Sequence, residues 1–154
     1  MSKHRVLANL VSALLVAAGV GASAAAAAPS SSAHMNCDWY GWYENSTRVA
    51  IPDGPSGEVS SPIPVTGLCG SAAMVTVNIE VRHSFRGDLL IDLVAPDGTS
   101  YRVKSPSGWD SADDVVGTYR VRVVGGDPTG TWRLRVKDVC AADTGRIEKW
   151  SLEF

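Results

Sequence analysis

From about residue 48 to the end of the chain, apolar residues recur at every second position, and glycine, proline, aspartate and serine cluster between the runs. That period belongs to half-buried strands joined by turns, not to helices. The clearest run is Met74 to Arg82, with Val75, Val77, Ile79 and Val81 on one face and Thr76, Asn78, Glu80 and Arg82 on the other. Leu89, Ile91 and Leu93 then share a core face while Asp88 and Asp92 point away. Pro96-Asp97-Gly98-Thr99 has turn chemistry, so Ser100 to Lys104 is expected to return antiparallel as a hairpin. Further alternating runs cover Thr118 to Val124, Thr131 to Lys137 and Lys149 to Phe154, with Tyr119/Val121/Val123, Trp132/Leu134/Val136 and Trp150/Leu152/Phe154 facing inward. Weaker runs at Arg48 to Ile51 and Val59 to Val65 bring the expectation to about eight strands. Eight short strands with one apolar face each bury those faces by packing as two sheets, so an all-β jelly-roll sandwich is predicted and no helix is required.

The first residues change the picture of what must fold. Lys3, His4 and Arg5 precede an apolar run from Val6 to Val20 and a small-residue stretch, Ala22 to Ala28, which together read as a secretory signal peptide over residues 1–28 cleaved near residues 24 to 28. The apolar run is short for a membrane span and no basic stop-transfer flank follows it. Pro29, three serines and Ala33 open a flexible leader, and residues 29–47 also hold the aromatic group Trp39, Tyr40, Trp42 and Tyr43. The sandwich proper is expected over 48–154. Phe154 follows no hydrophobic tail, and His34-Met35-Asn36 before Cys37 is not a lipobox, so release to the outside of a bacterial cell is expected, with no membrane attachment after cleavage. On that route the Asn45-Ser46-Thr47 sequon stays unmodified. Losing residues 1–28 removes Lys3 and Arg5 and no acid, leaving 12 basic and 16 acidic residues and a net charge of −4. That balance excludes a general nucleic-acid binder.

Four pieces in order carry a family resemblance: Val49-Ala50-Ile51-Pro52-Asp53, then Val81 to Leu89, then Leu93-Val94-Ala95-Pro96-Asp97-Gly98-Thr99, and finally Gly130 to Asp138 with Asp143-Thr144-Gly145 and Trp150 to Phe154. Together they resemble the P domain (P/Homo B domain) of the kexin- and furin-like proprotein convertases and of many bacterial secreted proteases. The resemblance implies an eight-stranded jelly roll of the galactose-binding type, in agreement with the strand count. It also implies a non-catalytic role, since in those proteases the domain packs against a subtilisin-like catalytic domain and supports its stability and its calcium and pH response. With no catalytic domain beside it, the module is expected to stand alone and to bind a protein partner, a subtilisin-like protease acting in trans being the natural one.

The residues themselves offer no catalytic site. His83 is the only histidine within the expected sandwich, and no serine sits in a Gly-x-Ser-x-Gly elbow or a subtilisin-type Gly-Thr-Ser motif. The resemblance places His83 at the end of a core strand as a hydrogen-bonded structural imidazole. Zinc is not expected, for want of histidines and of CxxC or HExxH spacing. Calcium is the one ion that the carboxylates Asp88, Asp92, Asp97, Asp113, Asp114, Asp138 and Asp143 would suit, although aspartates at turns ordinarily accept from loop amides. Arg86-Gly87-Asp88 spells an adhesion tripeptide, but in the resembling domains Gly-Asp-Leu serves entry into a strand. Arg120, Arg122, Arg133, Arg135 and Lys137 read as a basic row on the outward faces of two strands, with Glu148 and Glu153 as its expected partners. The aromatics at 39–43 suit a sugar or a partner, or a cover over a sandwich edge, so a carbohydrate-binding module stays open. So does a protease inhibitor, for which Pro52 to Pro64 is the candidate loop. Part of a serine-type endopeptidase is the remaining alternative, on family association alone.

Three cysteines in an exported chain favour one disulfide. The expected pair is Cys37 with Cys69, which would pin the aromatic segment to the sandwich end, with Cys140 free because the resembling motif needs only a small residue there. A Cys69 to Cys140 bridge is the alternative.

Overall fold

The computed structural model describes residues 37–154, so the signal peptide expected over 1–28 and the first part of the leader segment, residues 29–36, lie outside the described residues. Nine strands run through the described chain: β1 (Trp42–Asn45), β2 (Val49–Ile51), β3 (Glu58–Val65), β4 (Met74–His83), β5 (Leu89–Val94), β6 (Ser100–Lys104), β7 (Val115–Arg122), β8 (Gly130–Asp138) and β9 (Gly145–Glu153). Eight of them are the alternating runs. The ninth, β1, comes from the aromatic segment, whose four residues are too few for a period to be read in the sequence. One 3-10 turn at Arg86–Asp88 is the only helical element among the described residues, and no helix there is long and apolar enough to cross a membrane.

The strands form two antiparallel sheets, one ordered β1-β9-β4-β7 with β2 also on β9, the other β3-β8-β5-β6. Alternation decides which faces meet. Val75, Val77, Ile79 and Val81 of β4, Leu89, Ile91 and Leu93 of β5, and Trp132, Leu134 and Val136 of β8 all enter one core, as period-two patterning requires of a two-layer sandwich. Trp132 and Trp150 are both buried, and the Trp150 indole N–H donates to Ser61 Oγ at 2.9 Å, tying β9 of one sheet to β3 of the other. Phe154 closes one end, meeting Tyr43 and Trp132 edge-on at centroid distances of 6.0 and 5.5 Å.

β9 carries one irregularity with consequences for its neighbours. The register against β4 shifts between Glu80 and Val81, so that Lys149 faces Glu80, Ile147 faces Val81 and Glu148 has no partner across the strand. A bulge of this kind inserts one residue and bends the strand. On either side of it β9 takes two different partners, β2 at Gly145 to Ile147 and β1 at Trp150 to Glu153.

Candidate functional site

β4 and β8 lie in different sheets and end at the same rim, where His83 and Asp138 meet across the sandwich. Both side chains are fully buried, with His83 Nε2 3.3 Å from Asp138 Oδ2. His83 Nδ1 lies 2.9 Å from the Phe85 carbonyl oxygen, so both ring nitrogens are occupied within the protein. Asp138 also accepts from the Cys140 amide at 3.0 Å. Gly145 makes the arrangement possible, because a Cβ at that position would overlap the His83 ring and the Arg82 carbonyl. The buried imidazole thus turns both nitrogens to protein oxygens and neither to a hydroxyl or thiol. The neighbouring hydroxyl, Ser84 Oγ, donates instead to Asp143 at 2.6 Å. Thus the sequence motif Asp143-Thr144-Gly145 serves the rim, with Asp143 anchoring Ser84 and Gly145 leaving room for the histidine.

Four further carboxylates are likewise engaged, whereas Asp113 is exposed and makes no side-chain hydrogen bond or ion pair among the described residues. Asp97 and Asp127 accept from amides two residues ahead, and their carboxyls lie below the ordinary value, Asp97 chiefly through the Thr99 amide and Asp127 chiefly through the Thr129 hydroxyl, then its amide. Asp114 takes the Arg82 guanidinium at 2.7 Å and the His83 amide at 3.0 Å, and the arginine chiefly lowers its pKa. Asp92 does point away from the core, yet it is buried beneath Arg102 and Arg135, which it bridges. Among the described residues no group of three or more histidine, cysteine, aspartate or glutamate side chains converges in a way that could hold a metal ion. The adhesion tripeptide is not displayed: Gly87 and Asp88 are buried, Arg86 pairs with Asp110, and a Cβ at Gly87 would overlap the Ser107 and Asp110 carbonyls.

Cys37 and Cys69 are joined, with Cα atoms 5.3 Å apart, and Cys140 is free and exposed. A hydrogen bond to Asp88 raises the Cys140 thiol pKa, the opposite of what a nucleophilic cysteine needs. Around the disulfide, the Asp38 amide donates to Gly67 O at 2.8 Å and the Cys69 amide to Asp38 O at 2.9 Å. This fixes the start of the aromatic segment. Tyr43 turns inward and donates to Thr66 O at 2.6 Å, while Trp39, Tyr40 and Trp42 stay exposed. Of the open readings, the edge cover therefore describes Tyr43 and β1, and three rings are left facing solvent.

Two expectations need correction. The five basic residues do not form one row, because Arg120 and Arg122 stand on β7 and Arg133, Arg135 and Lys137 on β8, which belongs to the other sheet. Sequence spacing gives the face of a residue but not the sheet its strand joins. Glu148 pairs with Arg48 and Arg146 instead, and Arg135 with Asp92 and Glu58. Nor is Pro52 to Pro64 one exposed loop: Glu58–Val65 is strand β3, paired to β8, and only the stretch before it is a turn. Sequence reasoning missed the edge strand β1 and the buried Asp92 bridge, whose partners Arg102 and Arg135 are brought in by the pairing of β5 with β6 and β8.

Comparison with known proteins agrees with this architecture. The chain is 46% identical over 112 residues to the transglutaminase-activating metalloprotease of Streptomyces mobaraensis, and 47% identical over 113 residues to leupeptin-inactivating enzyme 1 of Streptomyces exfoliatus. Each alignment covers 73% of this chain, which spans only 15% and 26% of those proteins. The crystal structure of a serine protease of Aeromonas sobria superposes with a TM-score of 0.58 at 21% identity, over 73% of this chain and 26% of that one, which shows a shared fold. Residues 72–154, from the loop before β4 through β9, match the proprotein convertase P-domain. The rim of His83, Asp138 and Gly145, the hairpin at Asp97 and the two buried tryptophans all fall within that span, and the chain belongs to the proprotein convertase P-domain family.

Proposed function

We propose that the chain is a secreted, non-catalytic accessory module that binds a protease and steadies it, with no peptidase activity of its own. The observation that carries this reading is the rim histidine: the one imidazole in the sandwich is sealed between Phe85 O and Asp138, with no hydroxyl or thiol free to use it as a base. The family supports the partner class, since a small part of each protease relative corresponds to this chain. Serine-protease domains, subtilisin-like ones first, and metallopeptidase domains are both natural partners, because a serine protease shares the fold and a metalloprotease the sequence. Secretion follows from the signal peptide read in the sequence and fits a relative named as an extracellular basic protease from Dichelobacter nodosus.

The test takes the chain without residues 1–28 and mixes it with purified subtilisin-like and metallopeptidase catalytic domains. Complex formation in sedimentation, together with slower thermal inactivation of the protease, is the expected result, and the module alone should leave casein intact. Casein cleavage that His83→Ala abolishes without unfolding the protein would refute the non-catalytic role. A second reading, sugar binding, has one observation in its favour, the exposed Trp39, Tyr40 and Trp42 beside the disulfide. A glycan array that gives hits lost in Trp42→Ala would establish it.

A further inference from the structure

The two flanks of the sandwich are built differently. On one flank β1 and β2 lie against β3, with Asn45 Nδ2 donating to Pro62 O at 2.7 Å and Tyr43 reaching Thr66. There β3, the end of its sheet, also carries Pro62 and Pro64, which remove donors from the ladder and guard an edge against further pairing. On the other flank the sheets end in β6 and β7. No proline occurs in either strand. The two edges bound an open cleft of about 570 Å³, held at one end by the Val124 amide donating to Tyr101 Oη at 3.1 Å. A terminal strand of this kind leaves every second residue with an unpaired N–H and C=O.

The charge of the cleft is one-sided. Arg102, Arg120 and Arg122 line it and no carboxylate does. Arg102 is held by Asp92, but Arg120 and Arg122 are exposed and have no acidic partner among the described residues. Their neighbours across the ladder on β4, Thr76 and Met74, are uncharged. Two arginines two residues apart on a strand project from the same face, roughly 7 Å apart, which is the spacing of alternate side chains on a partner strand.

We propose that the free edge of β7 is a docking site for an extended protein segment bearing acidic side chains at alternate positions, which adds to the sheet as a further strand. Backbone pairing supplies the attachment and Arg120 and Arg122 select the sequence. The same two arginines repel the β7 edge of a second copy, so the charge that attracts an acidic segment also opposes pairing of two β7 edges. This rests on reading the chain as a protein-binding module and supplies the chemistry of the partner.

The test titrates the isotopically labelled chain, without residues 1–28, with a short peptide carrying glutamate at alternate positions, with its lysine counterpart, and with the glutamate peptide N-methylated at alternate amides. Amide shifts confined to residues 115–122 are expected with the glutamate peptide alone, and N-methylation should weaken binding by about tenfold or more. Arg120→Gln with Arg122→Gln should weaken it by a similar factor without changing the melting temperature, while Arg48→Gln on the opposite flank should have no effect. Equal binding of the N-methylated peptide, shifts elsewhere, or no binding at all would overturn the proposal. So would a heparin oligosaccharide that matches the peptide on the same arginines, since charge alone would then suffice. The protease-binding experiment separates the two readings. A complex untouched by the arginine variants removes the edge proposal only, and peptide binding without any protease complex removes the accessory role only.

Discussion

Asp114 shows how a single side chain can hold a rim in place. It sits at φ 56°, a left-handed conformation that aspartate and asparagine tolerate better than most residues. From there it accepts from the His83 amide and from Arg82. Folding lowers its pKa, mainly through the arginine. Its contribution to stability is therefore complete above the ordinary value of 3.8 and is lost as the pH falls through the lower folded value. Asp114→Asn keeps the backbone conformation and removes the charge. The melting temperature of this variant should lie below that of the wild type at about pH 6, and the two should converge towards roughly pH 2. A difference that persists in acid would show that the ion pair with Arg82 does not contribute.

β9 joins more strands than any other strand of its sheet, since it pairs with β1, β2 and β4, and it places Trp150 between the sheets. Trp150→Ala should cost about 3 to 5 kcal/mol, as removal of a large buried aromatic usually does. Trp150→Phe keeps most of the packing and strands the Ser61 hydroxyl, for about 1 to 3 kcal/mol. Denaturant titration distinguishes the two, and equal midpoints for all three proteins would place the indole outside the core. This inward position was legible from the sequence, because Trp150 and Leu152 alternate with polar neighbours. The same is true of β4, β5 and β8, whose faces follow directly from a period of two. What could not be read was partnership. Arg120 and Arg133 look alike in sequence, and only the strand order puts them in different sheets. β1 was hidden for a related reason: with four residues, its identity as a strand comes from β9 beside it, not from its own pattern. At the rim, the family resemblance alone implies a hydrogen-bonded His83, whereas its contact with Asp138 depends on how β4 and β8 converge.

At the scale of the whole molecule, one covalent link complements one core. The 32-residue separation between Cys37 and Cys69 gives a bridge worth about 4 kcal/mol on the chain-entropy account, a large share of the stability of a domain of this size. Reduction should therefore lower the melting temperature markedly, and Cys37→Ser with Cys69→Ser should lower it similarly. Non-reducing tryptic mapping should return a fragment joining Cys37 to Cys69, with Cys140 alone alkylated in the unreduced, unfolded protein. A fragment joining Cys69 to Cys140 would refute the pairing.

The position of β9 also sets the order in which the molecule can come into being. A nascent chain presents β1, β2 and β4 early, but in the finished sheet none of these is adjacent to another; β9 separates β4 from both of the others. Of the five-stranded sheet, only the β4–β7 ribbon can form before β9 emerges. Synthesis thus delivers the central strand last, and the sheet closes in a single late step that joins residues from opposite ends of the described chain. Such non-local closure is slow compared with helix formation. Until β9 pairs, β1 and β2 have no partner in their sheet and their backbone stays open to proteases.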